Sequence, residues 1–240
     1  MKRLYWLSVI LILLLAACAG PAAVEPAAES GGVEETATSA SSVQAVPTAD
    51  SDTVTYTDDE AGFSIALPAS WTTVEASTEA FTEMRRAVGE DESFTFLTDE
   101  YVQALLESGL QLYALHEETA SLTSELPVSL KIIRRDAPTS MSLDEYVTST
   151  ATQFESILEL TMPIEQSTVM LGGDEAIQLR YAMQTQTAVG TKAEVHNTQY
   201  YLINGSDLYI ITLEMGQDLV DDYLVVGETA VETFQLNSGG

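Results

Sequence analysis

The chain has 240 residues, with 37 Asp and Glu against nine Lys and Arg, a formal charge of -28, one cysteine and two histidines. A single cysteine excludes an intrachain disulfide framework and any multi-cysteine zinc or iron–sulfur centre. The charge argues against nucleic acid as a partner, because the phosphate backbone rewards positive surfaces.

Lys2 and Arg3 precede a nearly continuous apolar run from Leu4 to Leu15, and small residues lead from there to Cys18. A basic start, a short apolar stretch and a small-residue end are the architecture of a secretory signal. The run is too short for a comfortable transmembrane helix. Leu15-Ala16-Ala17-Cys18 resembles the lipobox of bacterial lipoproteins. That resemblance implies cleavage before Cys18 and diacylation of its thiol, an anchor of the palmitate type. Two acyl chains hold a protein on a bilayer where one is marginal. Cleavage removes two bases and no acids, so the mature charge becomes -30. Ala19 stands where an aspartate would resemble an inner-membrane retention signal. The expected location is therefore the outer membrane of a two-membrane cell, or the outer face of the plasma membrane where there is only one.

The expected division is a signal peptide at 1–17, a lipidated acidic linker at 18–52, a domain at 53–236 and a disordered tail at 237–240. Residues 19–53 hold six acids, no Lys or Arg and no aromatic residue. Such a composition cannot nucleate a core and reads as a flexible tether. Residues 54–240 keep 31 acids and seven bases, a charge of -24.

The domain opens with a strand at Thr53–Tyr56 and a turn over Asp58-Asp59-Glu60-Ala61-Gly62. Phe63, Ile65 and Leu67 alternate with small residues and predict a second strand. Pro68–Ser70 interrupts it before Trp71, which is expected to plug the core, with a surface pocket lined by Trp71 and Tyr56 as the alternative. Residues 75–92 are ambiguous. A strand at Phe94–Thr98, a helix at Asp99–Glu107 and a strand at Leu110–Glu117 follow. Residues 119–127 read as a loop, and Val128–Arg134 as a strand.

The clearest helix begins at Leu143 and reaches about Leu158. Ser142 is its N-cap, and Glu145 completes a capping box. Its apolar stripe includes Leu143, Tyr146, Val147, Phe154 and Leu158 at helical spacing. A meander comes next: strands at Ile164–Met170, Glu175–Gln184, Ala193–Ile203 and Asp207–Met215. Gly172-Gly173-Asp174 marks one turn. Asn204-Gly205 marks another, expected as type I′ because both residues tolerate positive φ. The sequon Asn204-Gly205-Ser206 is better read as that turn than as a glycosylation site. An amphipathic helix at Asp218–Phe234 closes the domain, with Leu219, Tyr223, Val226, Ala230 and Phe234 on one stripe. Asp218, Asp221 and Asp222 complement its dipole. The pattern predicts an α+β fold with a mostly antiparallel sheet.

Tyr56, Gly62-Phe63-Ser64-Ile65, Leu67-Pro68, Trp71, Ser142-Leu143-Asp144-Glu145-Tyr146, Leu171-Gly172-Gly173-Asp174-Glu175-Ala176 and the paired strands Tyr200–Ile203 and Leu208–Ile211 occur in an order that resembles the PsbP family. The family's founding member is the lumenal extrinsic subunit of photosystem II. The resemblance covers about residues 53–236. It implies an α-β-α sandwich and a non-enzymatic accessory or interaction module. The photosystem subunit docks through basic surface residues, and this acidic domain departs from that pattern.

Chemical motifs are few. No Gly-x-Ser-x-Gly elbow or phosphate-cradling loop is present, and lipidation would consume the one thiol. No catalytic, metal or cofactor residues are assigned; Cys18 is the one site residue. His116 and His196 are expected on strands, each at a sheet surface or edge. Asp58-Asp59-Glu60 and Glu90-Asp91-Glu92 read as solvated turns, and none of the acid clusters has EF-hand spacing. Tyr200 and Tyr201 must face opposite sides of a strand. One is expected in the core and the other as a contact residue. Arg85-Arg86 and Arg134-Arg135 read as local charge balancing, with an interaction site as the alternative.

The leading expectation is a lipid-anchored, extracytoplasmic, non-enzymatic domain that binds an envelope protein through a contiguous apolar or aromatic patch. The alternatives are weak Ca or Mn binding or a small ligand, needing three converging carboxylates or an aromatic pocket, and a hydrolase, needing paired polar groups in a cleft.

Overall fold

The computed structural model describes residues 53–87, 97–121, 126–187 and 191–237. Strands β1 (Thr53–Asp58), β2 (Phe63–Pro68) and β3 (Trp71–Glu75) come first. Helices α1 (Thr78–Ala87) and α2 (Asp99–Glu107), strand β4 (Leu110–His116), helix α3 (Glu117–Ser121) and strand β5 (Ser129–Asp136) follow. Then come α4 (Leu143–Ile157), β6 (Leu160–Leu171), β7 (Asp174–Gln186), β8 (Lys192–Asn204) and β9 (Asp207–Gly216). A 3-10 turn (Gln217–Leu219), α5 (Val220–Glu232) and β10 (Gln235–Leu236) complete the domain.

Seven strands form one antiparallel sheet in the order β3-β4-β5-β9-β8-β7-β6, and β1-β2-β10 form a smaller one. The fold is α+β, as the strand and helix periodicities predict. Side chains alternate along each strand, so every strand sends residues to both faces. On one face Leu112, Ala114, Leu130, Ile132, Tyr200 and Ile211 meet Phe63, Ile65 and Leu67 of β2 together with Ala230, Val231 and Phe234 from and just after α5. On the other face Val147 of α4 packs on Ile177, Leu179 and Tyr201. Phe154 packs on Tyr181 with ring centroids 5.4 Å apart. Phe81, Met84, Val102 and Leu105 of α1 and α2 cover Val74, Tyr113 and Leu115 at the β3–β4 end. Each fully buried side chain of this size contributes roughly 1.5–3 kcal/mol.

The capping box forms as expected: the Glu145 backbone N–H donates to Ser142 Oγ at 3.3 Å, and the Ser142 N–H donates to Glu145 Oε2 at 2.8 Å. That second bond holds the Glu145 carboxyl below its ordinary pKa.

Several expectations are corrected. The ambiguous stretch after Glu75 contains α1, whose Phe81 and Met84 are buried three residues apart. Residues 94–96 of the strand expected at Phe94–Thr98 lie outside the described residues. Thr98 is the N-cap of α2, its side chain accepting from Tyr101 N–H. The expected loop at 119–127 begins inside α3, and residues 122–125 lie outside the description. The β8–β9 turn centres on Gly205-Ser206 instead of Asn204-Gly205, since Asn204 pairs with Asp207 as the last rung. Only Gly205 has positive φ there (61°), the pattern of a II′ turn with Gly first, not of type I′. The last helix is split, and two residues after it pair with β2 to make β10. Asn237 N–H donates to Gly62 O at 2.9 Å.

Candidate functional site

α5 is drawn tightly onto the sheet. Gly227 faces Leu213, and a Cβ at that position would come 2.6 Å from Leu213 Cδ1. Thr233 ties the end of the helix to β2: the Ala66 N–H donates to its Oγ1 at 2.8 Å. Between the helix and the β1–β2 layer a groove of about 190 Å³ remains. Its walls are Thr53, Ala66, Pro68 and Ser70 on one side and Tyr223, Val226, Thr229, Ala230 and Thr233 on the other, with Asp222 also lining it.

His116 belongs to this groove. The alternation of β4 sets it on the same face as Leu112 and Ala114, opposite Trp71 in the β3–β4 register. The residue is buried, and β4 lies between β3 and β5, so His116 is not the sheet-surface or edge residue expected. Its ring stands perpendicular to Trp71 at 6.0 Å and meets Tyr223 at 4.8 Å. α3 folds back over it. The Thr119 N–H donates to His116 Nδ1 at 3.3 Å, while Thr119 Oγ1 donates to His116 O at 3.0 Å and accepts from Val128 N–H at 3.1 Å. An acceptor role at Nδ1 places the proton of the neutral ring on Nε2. Nε2 has no hydrogen-bond partner among the described residues. Trp71 Nε1 is buried and also without one.

Burial pushes the His116 imidazole below its ordinary pKa, outweighing the upward pull of Glu118 and Glu117. The unfolded ring therefore takes up a proton at higher pH than the folded one. This contribution to stability is complete above the ordinary histidine value of about 6.5 and is lost as pH falls through the folded value. His116→Gln keeps a neutral hydrogen-bonding group and is expected to flatten the pH dependence of unfolding free energy below about pH 7. Urea unfolding of both proteins across that range measures the difference. Identical slopes would show that the ring is not held neutral.

The opposite face of the sheet carries a buried polar seam. Ser129 (β5), Glu214 (β9), Asn197 (β8) and Tyr181 (β7) are successive partners across four strands. Lys131 and Gln199 flank Thr212 in the neighbouring row. Lys131 Nζ donates to Glu214 Oε2 at 2.8 Å and lies 3.5 Å from Tyr101 Oη on α2. Burial pulls the Lys131 pKa down, but Glu214 and the Tyr101 and Tyr113 hydroxyls outweigh it, so the ammonium is held above its ordinary value. Tyr181 Oη and Asn197 Nδ2 are buried without hydrogen-bond partners among the described residues. Burial pushes the Tyr181 hydroxyl above its ordinary pKa, and the Tyr201 hydroxyl donates to Gln199 Oε1 at 2.5 Å.

The remaining sequence candidates separate. Cys18 and Glu90-Asp91-Glu92 lie outside the described residues. His196 is half-buried on β8, beside Gln217 and 3.6 Å from Glu194 Oε1. Trp71 is a core residue, and Tyr56 packs on Phe63 at 6.0 Å. Tyr200 and Tyr201 face opposite sides, but both are buried because both sheet faces are covered. Arg85 pairs with Asp99 at 2.7 Å and Arg134 with Asp207 at 3.0 Å, which is charge balancing. Asp58-Asp59-Glu60 forms a turn, Asp58 Oδ1 accepting from the Ala61 N–H at 2.7 Å. Asp221 and Asp222 sit in the first turn of α5. Among the described residues no group of three His, Cys, Asp or Glu is placed to hold a metal ion. None of their helices is long and apolar enough to cross a membrane. The exposed large apolar residues Val54, Ile157, Met170 and Val225 stand on four different elements.

No family model and no curated protein matches the sequence. Solved structures do match the fold. The PsbP of Synechocystis sp. PCC 6803 has a TM-score of 0.49 at 15% identity, over 82% of this chain and 98% of that one. LpqN of Mycobacterium tuberculosis, described as involved in cell envelope biogenesis, has a TM-score of 0.48 at 10% identity, over 73% and 83%. The Ran-binding protein Mog1p of Saccharomyces cerevisiae has a TM-score of 0.43 at 8% identity, over 77% and 95%.

Proposed function

We propose that this protein is a lipid-anchored, extracytoplasmic, non-enzymatic accessory domain that docks an envelope protein in the groove between α5 and β2. The observation that carries the reading is the buried His116 ring, held by α3 as an Nε2–H donor that no described residue uses, in a groove otherwise lined by apolar, hydroxyl and aromatic side chains and one acid, Asp222. Interfaces are built from buried aromatic anchors and a few placed polar groups. Lipidation at Cys18 supplies the anchor. The chain from 18 to 52 could span at most about 120 Å fully extended, enough to present the groove well above a bilayer. No observation favours the metal-binding or hydrolase readings.

The test is photo-crosslinking in the native membrane. A benzoylphenylalanine at Thr229, which lines the groove, is expected to capture a discrete envelope protein. The same probe at Thr152, exposed on α4, is expected to capture none. Val226→Trp or Thr229→Trp, each filling the groove, should abolish recovery of that protein in a pull-down without lowering the melting temperature. Monodisperse recovery of the wild-type protein without partners would overturn the proposal.

A further inference from the structure

Resting on the docking reading above, we infer that the occupant of the groove is a basic polypeptide segment. It seats one apolar side chain in the groove, offers a backbone carbonyl to His116 Nε2–H, and sets a lysine or arginine against the acids around the mouth. Three observations carry this.

The first is size. The groove, about 190 Å³, is far larger than one water needs and below the roughly 300–1,000 Å³ of small-molecule pockets. It suits a side chain with a short piece of backbone.

The second is charge. Asp222 lines the groove. Glu117 and Glu118 lie close enough to act on His116, and Glu118 and Asp222 act on Tyr223. No Lys or Arg is among the lining residues. Among the described residues, ion pairs already engage Arg85 with Asp99, Lys131 with Glu214, Arg134 with Asp207, Arg180 with Glu228 and Lys192 with Glu159. An acidic partner meets like charge here, which works against association, and a basic one is steered in.

The third is hydrogen-bond polarity. With Nδ1 accepting from Thr119 N–H, the free nitrogen of His116 is a donor. An ammonium or guanidinium has no acceptor to give it. A peptide carries both the carbonyl that His116 needs and the cation that the rim acids favour.

The test uses the full chain, purified with its anchor in detergent, and two capped peptides. One is Gly-Leu-Lys-Gly and the other is the same sequence with Glu in place of Lys. Binding is read from the His116 ring resonances, assigned by comparison with His116→Gln. The lysine peptide is expected to shift those resonances and to bind roughly tenfold more tightly than the glutamate peptide. Its affinity should fall as salt rises from about 0.01 to 1 M. Asp222→Asn should weaken it by about two- to fivefold, the range of an exposed charge pair. Equal binding of the two peptides, tighter binding of the acidic one, or no shift at His116 with either would overturn the inference. So would saturation of the same resonances by phosphatidylethanolamine vesicles without peptide, which would assign the groove to a lipid headgroup. The two readings fail separately. If the Thr229 probe still captures an envelope protein and Val226→Trp or Thr229→Trp abolishes it, docking stands even where the lysine peptide does not bind. If that capture is absent as well, both fall.

Discussion

Glu214→Ala is expected to cost about 3–5 kcal/mol of unfolding free energy, because it leaves the Lys131 ammonium buried and unpaired. The reverse truncation should be milder. The Lys131 side chain is 9% exposed and that of Glu214 is 28% exposed, so Lys131→Met leaves a carboxylate that water reaches more easily. Its cost should be about 1–2 kcal/mol. The double variant Lys131→Met/Glu214→Leu should recover most of the loss, because replacing both members of a buried pair by apolar residues is often neutral or stabilising. Urea unfolding of the wild type, Lys131→Met, Glu214→Leu and the double variant gives the coupling directly. Equal losses for the two single substitutions would show that the cation is not the costly partner. The pH dependence has a definite sign. Because the folded Lys131 holds its proton above the ordinary lysine value, its contribution is complete below about pH 10.4 and is lost as pH rises through the folded value. The alkaline loss of stability should therefore be shallower in Lys131→Met.

Gly109→Ala should cost about 3–4 kcal/mol, from positive φ and overpacking together. Gly109 joins α2 to β4 at φ 88°, and a Cβ there would sit 2.3 Å from the Arg134 carbonyl oxygen. That neighbour is backbone in the middle of the sheet and cannot swing aside. Relieving the overlap would break the 3.0 Å bond from Arg134 N–H to Gly109 O and disturb the 2.9 Å bond from Arg135 Nε to Ser108 O. Gly205→Ala is the control. Gly205 has φ 61° but nothing within 4 Å of the added carbon, so only the cost of positive φ remains, about 1–2 kcal/mol. Thermal and urea unfolding separate the two. A Gly109→Ala protein no less stable than Gly205→Ala would refute the steric account.

The parts of the fold that were legible in the sequence are those set by local patterns. Ser142 and Glu145 announce the start of α4 within one turn of chain. The alternation of Phe63, Ile65 and Leu67, and of Ile177, Leu179, Tyr181 and Met183, fixes strand and face. What could not be read depends on layers brought together over long separations. Alternation puts Lys131 on the face away from Leu130 and Ile132, which in isolation reads as solvent. Only the packing of α2 and α4 makes that face interior. The same covering buries Tyr200 and Tyr201 together, although the alternation itself was right. Helix α1 is ten residues long with two buried apolar side chains, a stripe too brief to separate from a loop. β10 has two residues and exists only because α5 returns the chain to β2. For His116 a signal was present: it continues the Leu112–Ala114 alternation. Its role as a free donor needed α3, in a stretch expected to begin as loop.

The chain leading from Cys18 enters the domain at Thr53, which is both the first residue of β1 and part of the groove wall. Tension on a lipid anchor would thus be delivered along β1, into its six-rung pairing with β2, before it reached the seven-stranded sheet. Pulled lengthwise, those rungs share the load in shear; pulled sideways, they yield one at a time. The outer sheet bounds the groove, so under the proposed reading grip on a partner and strain on an anchor would be borne by the same strands.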